Sequence, residues 1–119
     1  MDGAKLAALM ADTPARIAGW RVQAQQLTLL LVPARIDGKI SDELHVAIER
    51  TCTAIYSEIE ACSAITKDVA ETSPEAAAEL APIEDALRLV LLEITELATE
   101  LYAIRSGVPR PGELAISAQ

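Results

Sequence analysis

Residues 80–104 have the sequence LAPIEDALRLVLLEITELATELYAI, which contains the most regular apolar pattern in the chain. Its aliphatic residues recur at alternating steps of three and four, which is the spacing of one face of an α-helix. The series continues for more than three heptads: Leu80, Ile83, Leu87, Val90, Ile94, Leu97, Leu101 and Ile104. Such a seam predicts a long helix that packs against other helices along its whole length.

Two earlier segments show the same spacing. The first series is Leu6, Met10, Thr13, Ile17, Trp20, Ala24, Leu27 and Leu31. The second is Leu44, Ile48, Cys52, Ile55, Ile59, Cys62, Ile65 and Val69. No alternating strand pattern of useful length accompanies them. The three series therefore predict helical segments over about 4–32, 42–71 and 74–105.

Start and stop signals set the ends of these segments. Pro33 is expected to end the first helix, and residues 33–40, with an Asp-Gly pair, are expected to form a loop. Ser41 is placed as the N-cap of the second helix, and Ser73, followed by proline, as that of the third. Gly107 is expected to stop the last helix near residue 106.

Two internal prolines leave the number of helices open. Thr13 followed by Pro14 has the pattern of an N-cap with proline at the first helical position, and Pro82 interrupts the last segment. The sequence therefore predicts an all-α, antiparallel up-down bundle of three long, proline-kinked helices, or of four to five shorter ones. Residues 1–107 are expected to form one helical domain and residues 108–119 an extended C-terminal tail.

Composition excludes several classes of protein. The 119 residues include 18 Asp and Glu against 10 Lys and Arg, a net charge of −8, and 51% are hydrophobic. A disordered chain would contain fewer apolar residues. A nucleic-acid-binding protein needs a basic face and benefits from aromatic side chains, and this chain has three aromatics in total. The acidic excess is uneven: residues 1–60 carry a net charge of −2, and residues 61–119 carry −6.

Localisation follows from what the sequence lacks. The N-terminal residues do not form a basic region followed by an apolar stretch, so we expect no signal peptide. The densest apolar run, residues 27–34, is too short to cross a bilayer, and we expect no membrane insertion. Cys52 and Cys62, ten residues apart on one predicted helix, are beyond disulfide reach. We expect a cytoplasmic protein with free thiols.

The sequence offers little material for catalysis or metal binding. His45 is the single histidine, whereas a di-metal carboxylate bundle needs two Glu-x-x-His pairs. The Asp37-Gly38 turn is similar to the second half of an EF-hand loop, but Leu44 stands where the bidentate glutamate belongs. The glycines are scattered and form no phosphate loop. We therefore expect no metal, no cofactor and no enzymatic activity.

Apolar residues beyond one seam point to an interface. Leu29 and Leu30 in the first helix, and Leu89, Leu91 and Leu92 in the last, exceed what a three-helix bundle buries. Trp20 can belong to the core or to the interface, and it is the first anchor to test. An acidic ridge of Glu93, Glu96 and Glu100, which has few lysines four residues away, is a candidate docking face for a basic partner segment.

These features predict a non-catalytic interaction or assembly protein that self-associates, with a homo-oligomer expected, or binds a partner helix. An adaptor, a chaperone-like protein or a structural subunit fits that description. The alternative is a small-molecule-binding regulator with a pocket between helices near Pro14 and Pro82. Its expected lining is Ile17, Trp20, Cys62, Ile65, Ile83 and Leu87.

Overall fold

The computed structural model describes residues 3–107, and within that range the chain forms three α-helices and no strand. Helix α1 spans Gly3–Asp37, α2 spans Asp42–Ala70 and α3 spans Pro74–Ser106. The prediction of an all-α protein with three long helices is confirmed, and the alternative of four to five shorter helices is wrong. The expected C-terminal tail, 108–119, lies outside the described residues.

The predicted caps are in place. The hydroxyl of Ser41 accepts a hydrogen bond from the backbone N–H of Leu44 at 3.2 Å, and the hydroxyl of Ser73 accepts one from Ala76 at 3.1 Å. Each bond satisfies an N–H that has no partner within its helix. Gly107 ends α3 with a φ of 73°, a left-handed conformation that glycine adopts without steric cost.

The expected end of α1 at Pro33 is wrong. The helix continues through Pro14 and Pro33 to Asp37, and the turn begins at Gly38, which has a φ of 71° and donates its N–H to the carbonyl of Ala34 at 2.8 Å. Pro82 likewise leaves α3 unbroken. All three internal prolines are exposed, so water can hydrate the carbonyl groups that lose a donor.

Packing along the three predicted seams keeps these helices together. Eighteen buried hydrophobic residues form one core cluster, drawn from all three helices. The most deeply buried include Leu31 on α1, Ile48 on α2, and Leu80 and Val90 on α3. Complete burial of such a side chain contributes about 1.5–3 kcal/mol, which offsets the cost of an internal proline.

The predicted up-down bundle is matched only in part, because the three helices pack unevenly. Helix α3 packs along both neighbours, whereas α1 and α2 contact each other less extensively, and the molecule measures 57 × 33 × 16 Å. Arg105 near the end of α3 pairs with Asp42 at the start of α2, so these two helices run in opposite directions. The result is a flat molecule in which each helix keeps one long face on the outside.

Candidate interaction surfaces

The outward face of α1 is apolar along almost its whole length. Facing away from the core is a second series of residues at steps of three and four, here named the α1 outer face. It consists of Ala8, Ala11, Ala15, Ala18, Val22, Gln25, Leu29, Val32 and Ile36, and all nine are exposed. Gln25 is its one polar member. A helix on the surface of a bundle usually places charged residues here.

The large side chains of the α1 outer face are well exposed. The exposed fraction is 52% for Val22, 70% for Leu29, 38% for Val32 and 80% for Ile36. Leu30, which was predicted at the interface together with Leu29, is 49% exposed and lies to one side of this series. The four larger residues of the series occupy the C-terminal half of the helix, and the four alanines occupy its N-terminal half.

The equivalent face of α2 is polar. The α2 outer face consists of Glu43, Val46, Arg50, Thr53, Ser57, Glu60, Ala64 and Lys67, all exposed. Six of the eight are charged or hydroxylated. The outer faces of α1 and α2 therefore differ in polarity, although both helices belong to the same bundle.

Helix α3 carries a smaller apolar surface, here named the α3 patch. Leu89 is 59% exposed and Leu92 is 54% exposed. They lie in a depression of about 640 Å³ that is also lined by Asp85, Arg88, Leu91 and Thr95. Leu91 differs from its two neighbours because it is half-buried and packs against the core.

Two members of the acidic ridge are paired with arginines of α1. Arg21 contacts Glu93 at 3.2 Å, and Arg35 donates two hydrogen bonds to Glu100 at 2.5 and 2.7 Å. The hydrogen bond to Glu100 raises the pKa of Arg35, while partial burial opposes that rise. Glu96, between them in sequence, is exposed. The ridge thus lines a groove between α1 and α3, and its two ion pairs link these helices.

Trp20 lies in the core. It is 4% exposed, its indole N–H donates to a carboxylate oxygen of Glu58 on α2 at 2.7 Å, and the guanidinium of Arg16 lies 5.1 Å from the ring centre. The indole therefore joins α1 to α2. It offers almost no surface to a partner protein, so Trp20 is not an exposed interface anchor.

The residues expected to line a small-molecule pocket separate into two groups. Five of the six belong to the core cluster, and none of the five exceeds 7% exposure: Ile17, Trp20, Cys62, Ile83 and Leu87. Ile65 is 51% exposed and lies in a surface depression between α1 and α2.

Within residues 3–107 no group of three or more His, Cys, Asp or Glu side chains is placed to hold a metal ion. Cys52 and Cys62 are buried free thiols, and burial raises the pKa of Cys52. His45 is 18% exposed at its side chain and has Nε2 3.5 Å from Glu49.

Sequence reasoning found the exposed leucines but missed the α1 outer face as a unit. The signal was present in residues 8–36 as a second heptad series offset from the core seam. Four of its members are alanines, which also occur on solvated helix faces because of their helix propensity. Only the orientation of α1 shows that the small and large members share one exposed face.

No family model, no curated protein and no solved structure matches this chain. Among residues 3–107, no helix has the length and apolar character needed to cross a membrane.

Proposed function

We propose that this chain is a non-catalytic helical interaction or assembly protein that self-associates or binds a partner helix. It would serve as an adaptor, a chaperone-like protein or a structural subunit. The observation that carries the proposal is the apolar character of the α1 outer face, supported by the α3 patch.

The exposed apolar surface is large for so small a protein. The exposed fractions of Val22, Leu29, Val32 and Ile36 add up to more than two complete side chains. Burying them in an interface would contribute about 1.5–3 kcal/mol for each fully buried side chain. Monomeric proteins rarely expose contiguous apolar patches larger than a few hundred Å².

The shape of this surface favours a helical partner. It is a continuous stripe along α1 that extends over residues 8–36, and no deep cavity is needed to explain it. Stripes with members at steps of three and four are recognised by other helices, whose side chains fit between them. Two members of the nearby acidic ridge, Glu93 and Glu100, are already paired with arginines of α1, so apolar contact rather than charge is the expected driving force.

Site-specific photo-crosslinking in the native host tests this proposal. A photoreactive amino acid at Leu29 or Leu92 is expected to give one discrete covalent adduct, either the dimer of this chain or a heteromeric species of fixed mass. The matched control is the same amino acid at Ser57 on the α2 outer face, which should give no discrete adduct. The proposal fails if Leu29 and Leu92 yield no more adduct than Ser57 while the purified chain sediments as a monomer.

A further inference from the structure

We propose that the α1 outer face binds the same face of a second copy of this chain, with the two α1 helices antiparallel. This inference rests on the proposed function and specifies its partner. Three properties of the face carry the argument: the order of its side-chain sizes, its charge and its area.

Side-chain size is distributed so that the face complements its own inverted copy. The N-terminal half contains four alanines, and the C-terminal half contains Val22, Leu29, Val32 and Ile36. In an antiparallel pair, three of the four large residues of each copy can lie opposite alanines of the other. For example, one register places Ala11 opposite Ile36, Ala15 opposite Val32 and Ala18 opposite Leu29 of the second copy. These three layers each hold one small and one large side chain, while Val22 lies opposite Gln25 at the centre of the pair.

Parallel pairing of the same face would pack less evenly. Alanine would meet alanine in the N-terminal half, and leucine would meet leucine in the C-terminal half. The interaxial distance depends on the side chains at the contact, so it would have to increase along the pair. A parallel pair would therefore pack one half of the face less closely than the other.

The net charge of α1 makes it the helix best suited to contact a second copy of the chain. Helix α1 contains four basic and two acidic residues, a net charge of +2, whereas α2 carries −4 and α3 carries −5. Two of the basic residues, Arg21 and Arg35, are turned to α3 and neutralised by Glu93 and Glu100. Two copies can therefore meet through α1 without net repulsion, while the acidic helices remain outside.

The area available is close to what a specific interface requires. Residues 11–36 extend over about 39 Å, and one third of the surface of a helix about 11 Å wide is about 450 Å² over that length. Two such faces give about 900 Å², near the roughly 1,000 Å² of a small specific interface. The α3 patch, limited to two exposed leucines beside Asp85 and Arg88, offers less and lies on the most acidic helix.

Sedimentation equilibrium of the full chain, with circular dichroism to confirm folding, tests the inference. The wild type is expected to be a dimer at about 100 µM, within the range of affinities that interfaces of modest size reach. L29E/I36E places four carboxylates in the dimer contact and is expected to weaken it by more than about 100-fold. Two matched double variants, S57E/A64E on the α2 outer face and L89E/L92E on the α3 patch, are expected to leave the dimer unchanged.

A18L distinguishes the two orientations without adding charge. In the antiparallel pair the new leucine meets a large residue, so the dimer should weaken by about tenfold or more. In a parallel pair it would meet its own counterpart among alanines and tighten the contact. A wild type that stays monomeric at about 100 µM, or a dimer that A18L tightens, would overturn the inference.

The outcomes also separate this inference from the proposed function. A dimer that L89E/L92E disrupts and L29E/I36E does not would contradict pairing through α1, yet it would still support a self-associating protein. A monomer that gives a discrete heteromeric adduct at Leu29 would also contradict pairing through α1. It would still support a protein that binds a partner helix.

Discussion

Helices α1 and α2 differ on the side that faces away from the core. Each buries one regular seam, and each keeps one long face on the outside. The α2 outer face is built from charged and hydroxylated residues, as expected for a helix that contacts water there. The α1 outer face has one polar member in nine. The comparison shows that forming this bundle does not require an apolar outer face, so the apolar character of the α1 outer face needs another explanation.

The largest difference in the free energy of unfolding is expected between two leucines on opposite sides of α1. Leu31 is completely buried, whereas Leu29 is 70% exposed. Leu31→Ala should lower the free energy of unfolding by about 2–5 kcal/mol because it leaves a cavity in the core. Leu29→Ala should change it by less than about 0.5 kcal/mol when the chain is dilute. Urea denaturation at low protein concentration measures both.

The dependence of the melting temperature on protein concentration tests whether Leu29 lies in an interface. If the α1 outer face is an interface, the melting temperature of the wild type rises with protein concentration, and Leu29→Ala reduces that rise. A melting temperature independent of concentration in both proteins would indicate that the face is simply solvated.

A smaller effect is expected where α2 meets Trp20. Glu58→Ala removes the acceptor of the indole N–H and should cost about 1–2 kcal/mol, because the indole is buried and its donor would be left unpaired. Glu60→Ala, two residues further along the same helix and exposed, should cost less than about 0.5 kcal/mol. Equal losses for the two variants, measured by tryptophan fluorescence during urea denaturation, would contradict the role given to Glu58.

The ion pairs that bind α1 to α3 should contribute less again. Arg35→Ala removes both hydrogen bonds that Arg35 donates to Glu100, whose side chain is 11% exposed, and should cost about 1 kcal/mol. Arg88 pairs with Asp85 where both side chains are mostly exposed, so Arg88→Ala should cost less than about 0.5 kcal/mol. Thermal denaturation at low and high salt measures the difference. A larger loss for Arg88→Ala would reverse the expected order.

The smallest effect concerns the polar surface of α2. A hydrogen bond between Tyr56 and Glu60 raises the pKa of Tyr56, with the charge of the carboxylate adding to the rise. This contact stabilises the fold below the ordinary pKa of tyrosine, and the contribution disappears as the pH rises through the folded-state pKa. Glu60→Gln should therefore lower the pH at which Tyr56 ionises. Ultraviolet titration in a Tyr102→Phe background measures it, and an unchanged midpoint would contradict the contact.

The sequence predicted the parts of the fold that depend on neighbours along the chain. The caps at Ser41 and Ser73, the stop at Gly107 and most of the three seams follow from periodicity and local backbone preferences. Two predicted seam members, Met10 and Ile65, are exposed, and Thr66 is buried beside Ile65. Pro33 did not follow, because whether a helix continues through proline depends on which side the ring lies. Here both neighbouring core positions, Leu31 and Ala34, hold the helix against the core while the ring faces water.

The candidate surfaces were predictable to a smaller extent. The exposed leucines were identified because they exceed one seam. The pairing of Glu93 with Arg21 and of Glu100 with Arg35 was not, because each pair joins residues on different helices whose alignment no local pattern fixes. The sequence likewise does not assign Trp20 to the core or the interface, because its residue type suits either. Its burial and its hydrogen bond to Glu58 assign it to the core.

The distance between spin labels in the assembled protein tests antiparallel pairing through α1 most directly. A single label at Asp37, at the end of α1 in a Cys52→Ala/Cys62→Ala background, is measured by pulsed electron paramagnetic resonance. The antiparallel pair places the two labelled positions about 40–50 Å apart, since each lies about 14–17 residues from the centre of the pair. A parallel pair would instead bring them to the roughly 10 Å separation of packed helix axes, extended by the label arms. A single distance near 40–50 Å is the predicted result. A short distance, or no intermolecular distance, would contradict antiparallel pairing through α1.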